Sequence, residues 1–370
     1  MRFYYCTTYV ALMTFGILCG FARAALPGLS PAESALDAFD QKQLAPQARR
    51  ICRSDSSVSG HDTVLGDRFT KTSTEIRQDS DGRFDLSLRQ LVDLTSDHDP
   101  TTDGRALLFR YIWTGKEFYD FNGNSRVFSV VHISSSNSRR EECYAKAYND
   151  APLDGTLWGD LVPFTVVLHG APDLRLDPQP LIIGGDACDT ILGKSESGDY
   201  RVCLDPERDY AIRSATVVRR GDNELFGQKM SSMKPSPLAG KERGVQTSYE
   251  TEDSFSITDV SITKIEQHWV PTSATLHFES KFADGRVTAW VTRVNRTFET
   301  FSPDFAASRA FVPDFPDGTR VYKAGLGSIR FTWQKGKVQA AVDDQTITAI
   351  DRSIDALPKS TLNPATAPSK

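Results

Sequence analysis

GDACDTILGKSESGDYRVCLDPERDYAIRSATVVRR, residues 185–220, is the stretch that decides the fold. Apolar and polar residues alternate over Tyr200–Asp205, which is typical of a β-strand with one covered face. The Ser/Glu/Gly run before it forms a turn, in which Gly198 is free to adopt a positive φ. Pro206 cannot donate a ladder hydrogen bond, so it ends this strand, and a longer strand follows over 210–219. The stretch predicts an antiparallel meander.

Similar hairpins lie on both sides of it. Before it, Val64–Gln78 and Arg83–Leu94 form one hairpin, and Leu107–Trp113 and Glu117–Phe121 form a second. After it, Ile329–Gln334 and Val338–Val342 form a compact final hairpin. Helical spacing is limited to short segments, so the sequence predicts a mainly β protein with a few helices.

Those helices begin with Ser30-Pro31-Ala32-Glu33, a capping box with proline at the first helical position. It predicts a helix over about 31–44, followed by a polar, serine-rich linker. Two further helices are expected, one over 139–148 and one over 155–168; in the second, Val166 and Val167 also suit a strand.

Four segments have short sequence patterns that are similar to those of one known group of proteins. They are Leu-Asp-Pro-Glu at 204–207, YAIRSATVVRR at 210–220, DVSITKIEQHWVPTSATLHF at 259–278 and Pro-Asp-Gly-Thr at 316–319. This pattern resembles the LolA/LolB-like exported bacterial lipoprotein carriers, over roughly residues 64–342. The resemblance implies a single curved antiparallel sheet, an unclosed half-barrel around short helices, with a Trp-Val-Pro turn at 269–271. It also implies an apolar inner groove that takes acyl chains.

The first 24 residues read as an export signal. Arg2 gives a basic start, an apolar run covers Tyr9–Phe21, and Ala22-Arg23-Ala24 supplies a cleavage site. Leu18 is too large for a lipidation box at Cys19, so cleavage after Ala24 is expected. The expected divisions are a signal peptide (1–24), an N-terminal helix and linker (25–62), a β domain (63–343) and a short helix with a disordered tail (344–370). Residues 223–253 form a long loop whose role stays open.

Export to an oxidising compartment would allow the cysteines to form disulfides. Two of the six lie in the signal, and the others are Cys52, Cys143, Cys188 and Cys203. An even number in an exported chain suggests disulfides. Folding 186–192 onto 200–205 brings Cys188 and Cys203 together, opposite or diagonal according to register, so this pair is predicted to be bridged. Cys52–Cys143 follows by elimination, and buried free thiols are the alternative.

Composition and motifs argue against several functions. A net charge of −5 and a pI near 5.8, with no basic face, argue against a nucleic-acid partner. No His-x-x-x-His pair, Gly-x-Ser-x-Gly elbow or glycine-rich phosphate loop occurs in the sequence. We therefore expect no catalytic residues, no metal and no cofactor.

The second hairpin is aromatic on both faces, as buried strands are. Its aromatic residues are either core or the wall of an apolar ligand groove, and the candidates for that groove are Phe109, Tyr111, Trp113, Phe118 and Phe121. With the resemblance, they predict a non-catalytic, monomeric carrier in the periplasm or cell envelope that binds a lipid or an acylated protein, without a membrane segment after signal cleavage. The alternatives are a structural or sensory module binding another protein, as RseB-like regulators do, and an exported hydrolase with a dispersed site.

Overall fold

The computed structural model describes residues 29–63, 66–92, 99–100, 102–123, 129–136, 138–233, 249–305, 310–326 and 331–340. The predicted signal peptide and the C-terminal helix and tail lie outside these residues.

The helices are short and begin with the predicted cap. Helix α1 covers Pro31–Phe39, and the Ser30 hydroxyl accepts a hydrogen bond from the Glu33 backbone while the Glu33 carboxylate accepts one from the Ser30 backbone. The chain continues through a π-helical turn and α2. The remaining bounds are Asp40–Leu44 (π), Ala45–Gln47 (α2), Ser138–Ala147 (α3) and Phe164–Leu168 (α4), with 3₁₀ turns at Ala151–Asp154, Pro206–Arg208 and Met230–Ser232.

Strands make up most of the described chain. In chain order they are β1 (Arg50–Asp62), β2 (Gly66–Gln78), β3 (Phe84–Val92), β4 (Leu107–Trp113), β5 (Phe118–Gly123), β6 (Ser129–Ser134), β7 (Arg175–Leu176), β8 (Leu181–Ile183), β9 (Asp186–Ser195), β10 (Gly198–Asp205), β11 (Ala211–Arg220), β12 (Glu224–Leu225), β13 (Gln228–Lys229), β14 (Glu250–Ile265), β15 (His268–Phe282), β16 (Val287–Phe301), β17 (Arg320–Lys323), β18 (Phe331–Gln334) and β19 (Lys337–Ala340). All but β12 and β13 belong to one sheet of 17 strands.

The sheet runs in the order β19-β18-β17-β6-β5-β4-β3-β2-β1-β16-β15-β14-β11-β10-β9, with β7 and β8 both pairing to β9. No pairing among the described strands joins its two ends, so it is unclosed. All pairs are antiparallel except β6–β17, which is parallel. The predicted fold class, mainly β with a single unclosed sheet and short helices, is confirmed.

One face, which we call the inner face, packs against α1 and against Asp150–Leu168, the inner segment. Their core includes Leu36 and Phe39 of α1, Phe164 of the inner segment, and sheet residues from β9 to β16. The inner positions alternate along each strand with residues of the other, outer face, as in Val202, Ala215 and Ile257, which lie side by side. Apolar burial on this face holds the helices against the sheet.

The outer face carries a smaller core at the β4–β6 end. There Ile112, Val131 and Val321 pack with Trp333 and with Phe315, which comes from the connection between β16 and β17. The C-terminal hairpin β18–β19 is thereby held to strands that precede it by about two hundred residues in the chain.

Three local expectations were wrong. The segment expected to be a linker is strand β1, which lies in the middle of the sheet between β2 and β16. The Trp269-Val270-Pro271 stretch is part of β15; the turn is at 266–267, and Pro271 is tolerated beside a register shift. Within 155–168 only Phe164–Leu168 is α-helical, since Gly155 and Gly159 both adopt positive φ.

Candidate functional site

Four of the five predicted groove residues share the inner face. Trp113, Tyr111 and Phe109 lie opposite Phe84, Leu86 and Leu88 of β3, and Phe118 lies opposite Trp113. Phe109, Tyr111 and Trp113 remain half-buried, whereas Phe118 is buried. We call these four residues the aromatic strip.

Helix α3 packs along this strip. Its side chains Tyr144 and Ala147, with Tyr148 just beyond it, join the cluster that Phe109, Tyr111 and Trp113 contact. Burial raises the pKa of Tyr111 to about 12, so its hydroxyl is protonated at neutral pH. The strip therefore presents uncharged, partly exposed rings on the inner face.

Phe121 lies on the opposite face. It pairs with Arg110 in the β4–β5 register and stacks on Phe315, with ring centroids 5.0 Å apart. The structure therefore places Phe121 in the outer core, away from the four residues of the strip. Strand alternation accounts for this, because residues an odd number of positions apart, such as 118 and 121, lie on opposite faces of a strand.

Polar side chains replace the aromatic ones farther along the same face. Across β4, β5, β6 and β17, the residues that pair with one another are Tyr111, Asp120, His132 and Tyr322. Asp120 forms a 2.8 Å ion pair with Arg139 of α3, and the rings of His132 and Tyr322 stack at 5.1 Å. The strip thus ends in a polar edge.

Sequence reasoning missed a buried ionic network under the inner segment. Arg50 of β1 donates to Asp154 and to Glu299, and Arg296 of β16 donates to Asp154 and, at 3.3 Å, to Asp150. All five side chains are at most 2% exposed. Two arginines face three acids, so the network binds the inner segment to the seam where β1 meets β16.

The pKa values of its aspartates diverge for physical reasons. Burial raises the pKa of Asp150 to about 6, against the opposing charge of Arg296. Burial also acts to raise that of Asp154, but Arg296 and Arg50 outweigh it and lower the pKa of Asp154 to about 2. Asp154 is therefore the charged centre of the network at neutral pH.

A second network holds the middle of the inner segment, at Asp160. Arg219 of β11 donates to Asp160 at 2.8 Å and to Asp253 at 3.4 Å, and the Tyr200 hydroxyl donates to Asp160 at 2.7 Å. Gly159, at φ +90°, lies so close that an added Cβ would be 2.6 Å from the Arg219 guanidinium carbon. Glycine is required there.

A signal for both networks exists in the sequence. Arg219 and Arg296 fall in phase with the buried residues of their strands, Val217 and Val294. A charged residue in a core phase requires a buried partner of opposite charge. The three aspartates of the inner segment are those partners.

The predicted disulfide is not formed. Cys188 and Cys203 are buried free thiols, as are Cys52 and Cys143. The register puts Thr190, not Cys188, opposite Cys203, and their side chains lie 3.4 Å apart. Cys188 is then a diagonal neighbour, roughly 7–8 Å away, beyond the reach of a disulfide.

A large groove lies on the outer face. It has a volume of about 990 Å³ and crosses the sheet from β2 to β11, with His61, Asp67, His277 and Glu279 among its lining residues. No group of three or more metal-ligating side chains that could hold an ion occurs within the described residues. None of the helices in those residues is long and apolar enough to span a bilayer.

The described strands form one unclosed sheet, and its inner face carries the aromatic strip. Comparison with solved structures finds matches at low identity. An outer membrane lipoprotein-sorting protein domain from Vibrio parahaemolyticus is 9% identical with a TM-score of 0.37, over 74% of this chain and 94% of that one. A DUF1329 family protein from Desulfovibrio piger is 8% identical with a TM-score of 0.37, over 75% and 95%.

A LolA superfamily protein from Nitrosomonas europaea is 9% identical with a TM-score of 0.32, over 77% of this chain and 94% of that one. No protein-family model matches the sequence, and no curated protein matches it significantly.

Proposed function

We propose that the protein is an exported, non-catalytic carrier that binds the acyl chain of a lipid or of an acylated protein on its inner face. The observation that carries this proposal is the aromatic strip. Three of its rings, Phe109, Tyr111 and Trp113, stay half-buried in a row on one strand. Large aromatic side chains left partly exposed and contiguous are typical of an apolar binding surface.

The shape of the strip suits a single extended chain. The three rings alternate along β4 with residues of the outer face, and Tyr144 and Ala147 of α3 belong to the same apolar cluster as the rings. An acyl chain lying along the strand would cover all three rings and gain about 0.8 kcal/mol for each methylene that it buries. The polar edge at Asp120 and His132 would then face the end of the chain that carries its headgroup.

The test is direct binding. Native mass spectrometry of protein purified from its own host should show a co-purified lipid, and a fluorescent long-chain fatty acid and an N-palmitoylated peptide should both bind. Phe109→Lys is expected to weaken both about tenfold or more, the equivalent of about 1.4 kcal/mol of lost contact.

Phe298→Lys is the matched control, because Phe298 is an exposed aromatic on β16 whose ring contacts Arg53 on the outer face. It should leave affinity unchanged. Thermal melts of both variants check that the fold is retained. Absence of any acyl ligand, or equal effects of the two variants, would refute the proposal; a co-purified protein without lipid would favour a sensory module instead.

A further inference from the structure

The groove on the outer face lies on the side of the sheet away from the aromatic strip. Its lining comes from β2, β1, β16, β15, β14 and β11, six strands that are neighbours in the sheet. Five strand spacings give it a length of about 24 Å. Its volume of about 990 Å³ lies at the upper end of the range for small-ligand sites.

Two carboxylates lie in one row across the groove. The register places Asp67, His61, Ala289 and Glu279 side by side on β2, β1, β16 and β15. Asp67 bonds His61 Nδ1 at 2.7 Å, yet the two side chains are 87% and 63% exposed. Glu279 is 44% exposed, with Lys281 at 3.4 Å. These groups face solvent and are strong hydrogen-bond partners for a ligand.

Hydroxyl groups and small side chains form the rest of the floor. Ser254, Ser256 and Thr216 lie at the β14–β11 end, and Ser59 lies on β1. Between them Ala289 and Val291 of β16 are short, which gives the groove its depth. Each hydroxyl both donates and accepts a hydrogen bond.

Phe69 supplies the apolar surface. Phe69 is on β2, opposite Ser59 of β1, and it is half-buried at one end of the groove. A flat ring beside carboxylates, imidazoles and hydroxyls offers a stacking face next to polar groups.

We propose that this groove binds an extended, uncharged oligosaccharide. A sugar chain presents hydroxyl donors to Asp67 and Glu279, accepts from the serine and threonine hydroxyls, and places the apolar face of a ring on Phe69. An acyl chain is disfavoured because Phe69 and Val291 are separated by the polar Ser59 in their row.

The length of the groove sets which chains should bind. Straight β-1,4-linked chains can follow six strands, whereas an α-1,4-linked chain curls away. Isothermal titration calorimetry of the full chain with chitohexaose and cellohexaose should give saturable binding. The corresponding disaccharides and maltohexaose should bind at least tenfold more weakly.

Two substitutions test the lining, each with a matched control. Glu279→Gln and Phe69→Ala should each weaken hexasaccharide binding about tenfold. Asp55→Asn and Phe298→Ala, which alter an exposed acid of β1 and an exposed aromatic of β16 away from the groove, should leave it unchanged. Fatty-acid binding should be the same in all four variants, because the strip lies on the other face.

Three results would overturn the proposal. One is the absence of saturable binding by either hexasaccharide at millimolar concentration. Another is binding that the groove and control variants affect equally. The third is binding of spermidine in place of sugars, which would assign the two carboxylates to a cationic ligand.

Discussion

Replacing Asp154 with asparagine preserves the side chain's shape and removes its charge at the seam between β1 and β16. In the native protein Asp154 accepts hydrogen bonds from Arg50, Arg296 and Tyr144. An asparagine offers one acceptor oxygen and turns an NH₂ group toward Arg50 and either Arg296 or Tyr144, all of which are donors there. Both arginines stay buried, so their positive charge loses its nearest partner.

The expected cost follows from the buried geometry. Removing one partner of a buried ion pair costs about 3–5 kcal/mol, a large part of a typical stability of about 5–15 kcal/mol. Glu299 and Asp150 remain as counter-charges. Loss of Asp154 also lowers the pKa of Asp150, because the charge of Asp154 is one of the causes that raise it. This compensation places the loss near the lower end, about 3 kcal/mol.

Urea unfolding at pH 7.5, followed by far-ultraviolet circular dichroism, measures the change. With a slope of about 3 kcal/mol/M, the midpoint should fall by about 1 M. Asp67→Asn is the control, since its pair with His61 is exposed, and it should change stability by no more than about 0.5 kcal/mol. If Asp154→Asn shifted the midpoint no more than the control, the buried network would not be what holds the inner segment.

Three further predictions concern pH, backbone and thiols. Burial raises the pKa of Asp150 and Asp160 to about 6 from 3.8, so the folded state binds these protons more tightly. The free energy of unfolding, measured by urea titrations at stepped pH, should therefore rise as the pH falls from about 7 to 4.5. It should then decrease below about pH 4, because the lowered pKa of Asp154 makes its charge stabilising and protonation removes that charge. A steady decrease from pH 7 downward would contradict this prediction. Gly159→Ala should lower the free energy of unfolding by at least about 2 kcal/mol in the same assay. Gly170 is also at positive φ but has open space around it, so Gly170→Ala should lower it by only about 1 kcal/mol. Equal losses in the two variants would contradict the close contact at Gly159. The four buried cysteines should react with a thiol reagent only after unfolding, and a non-reducing intact mass that shows lost hydrogens would reveal a disulfide.

Much of the sheet could be predicted because alternation is local. The meander of β9 to β11 and the hairpins of β2–β3, β4–β5 and β18–β19 each follow from short-range patterns and turn residues. The capping box likewise fixed the start of α1 from four consecutive residues.

Strand β1 was missed because its alternation is between polar residues. Its inner positions include Ser54, whose hydroxyl donates to Asp150 of the inner segment, and Ser56, whose hydroxyl accepts from Asn149 just before that segment. A serine-rich strand therefore looked like a linker. The partner that makes it a buried strand lies about a hundred residues away.

The candidate site was predictable only in part. Which face each aromatic residue occupies follows from alternation, and that rule separates Phe121 from Phe118 once the strand is known. The outer groove depends instead on the register of six strands drawn from residues 59 to 291. No local pattern carries that information, since a shift of one residue would exchange the two faces.

The pairing of β1 with β16 also governs how the chain assembles. Arg50 faces Phe301 across that pair, so the middle of the sheet joins segments about 250 residues apart. Strand β1 forms early in synthesis and keeps one edge without a hydrogen-bonding partner until nearly all the chain has emerged. Such long-range closure is slow, and the exposed edge attracts other strands meanwhile. Folding of this protein is therefore expected to depend on protection of that edge, by a chaperone or by low concentration, until the last long strand arrives.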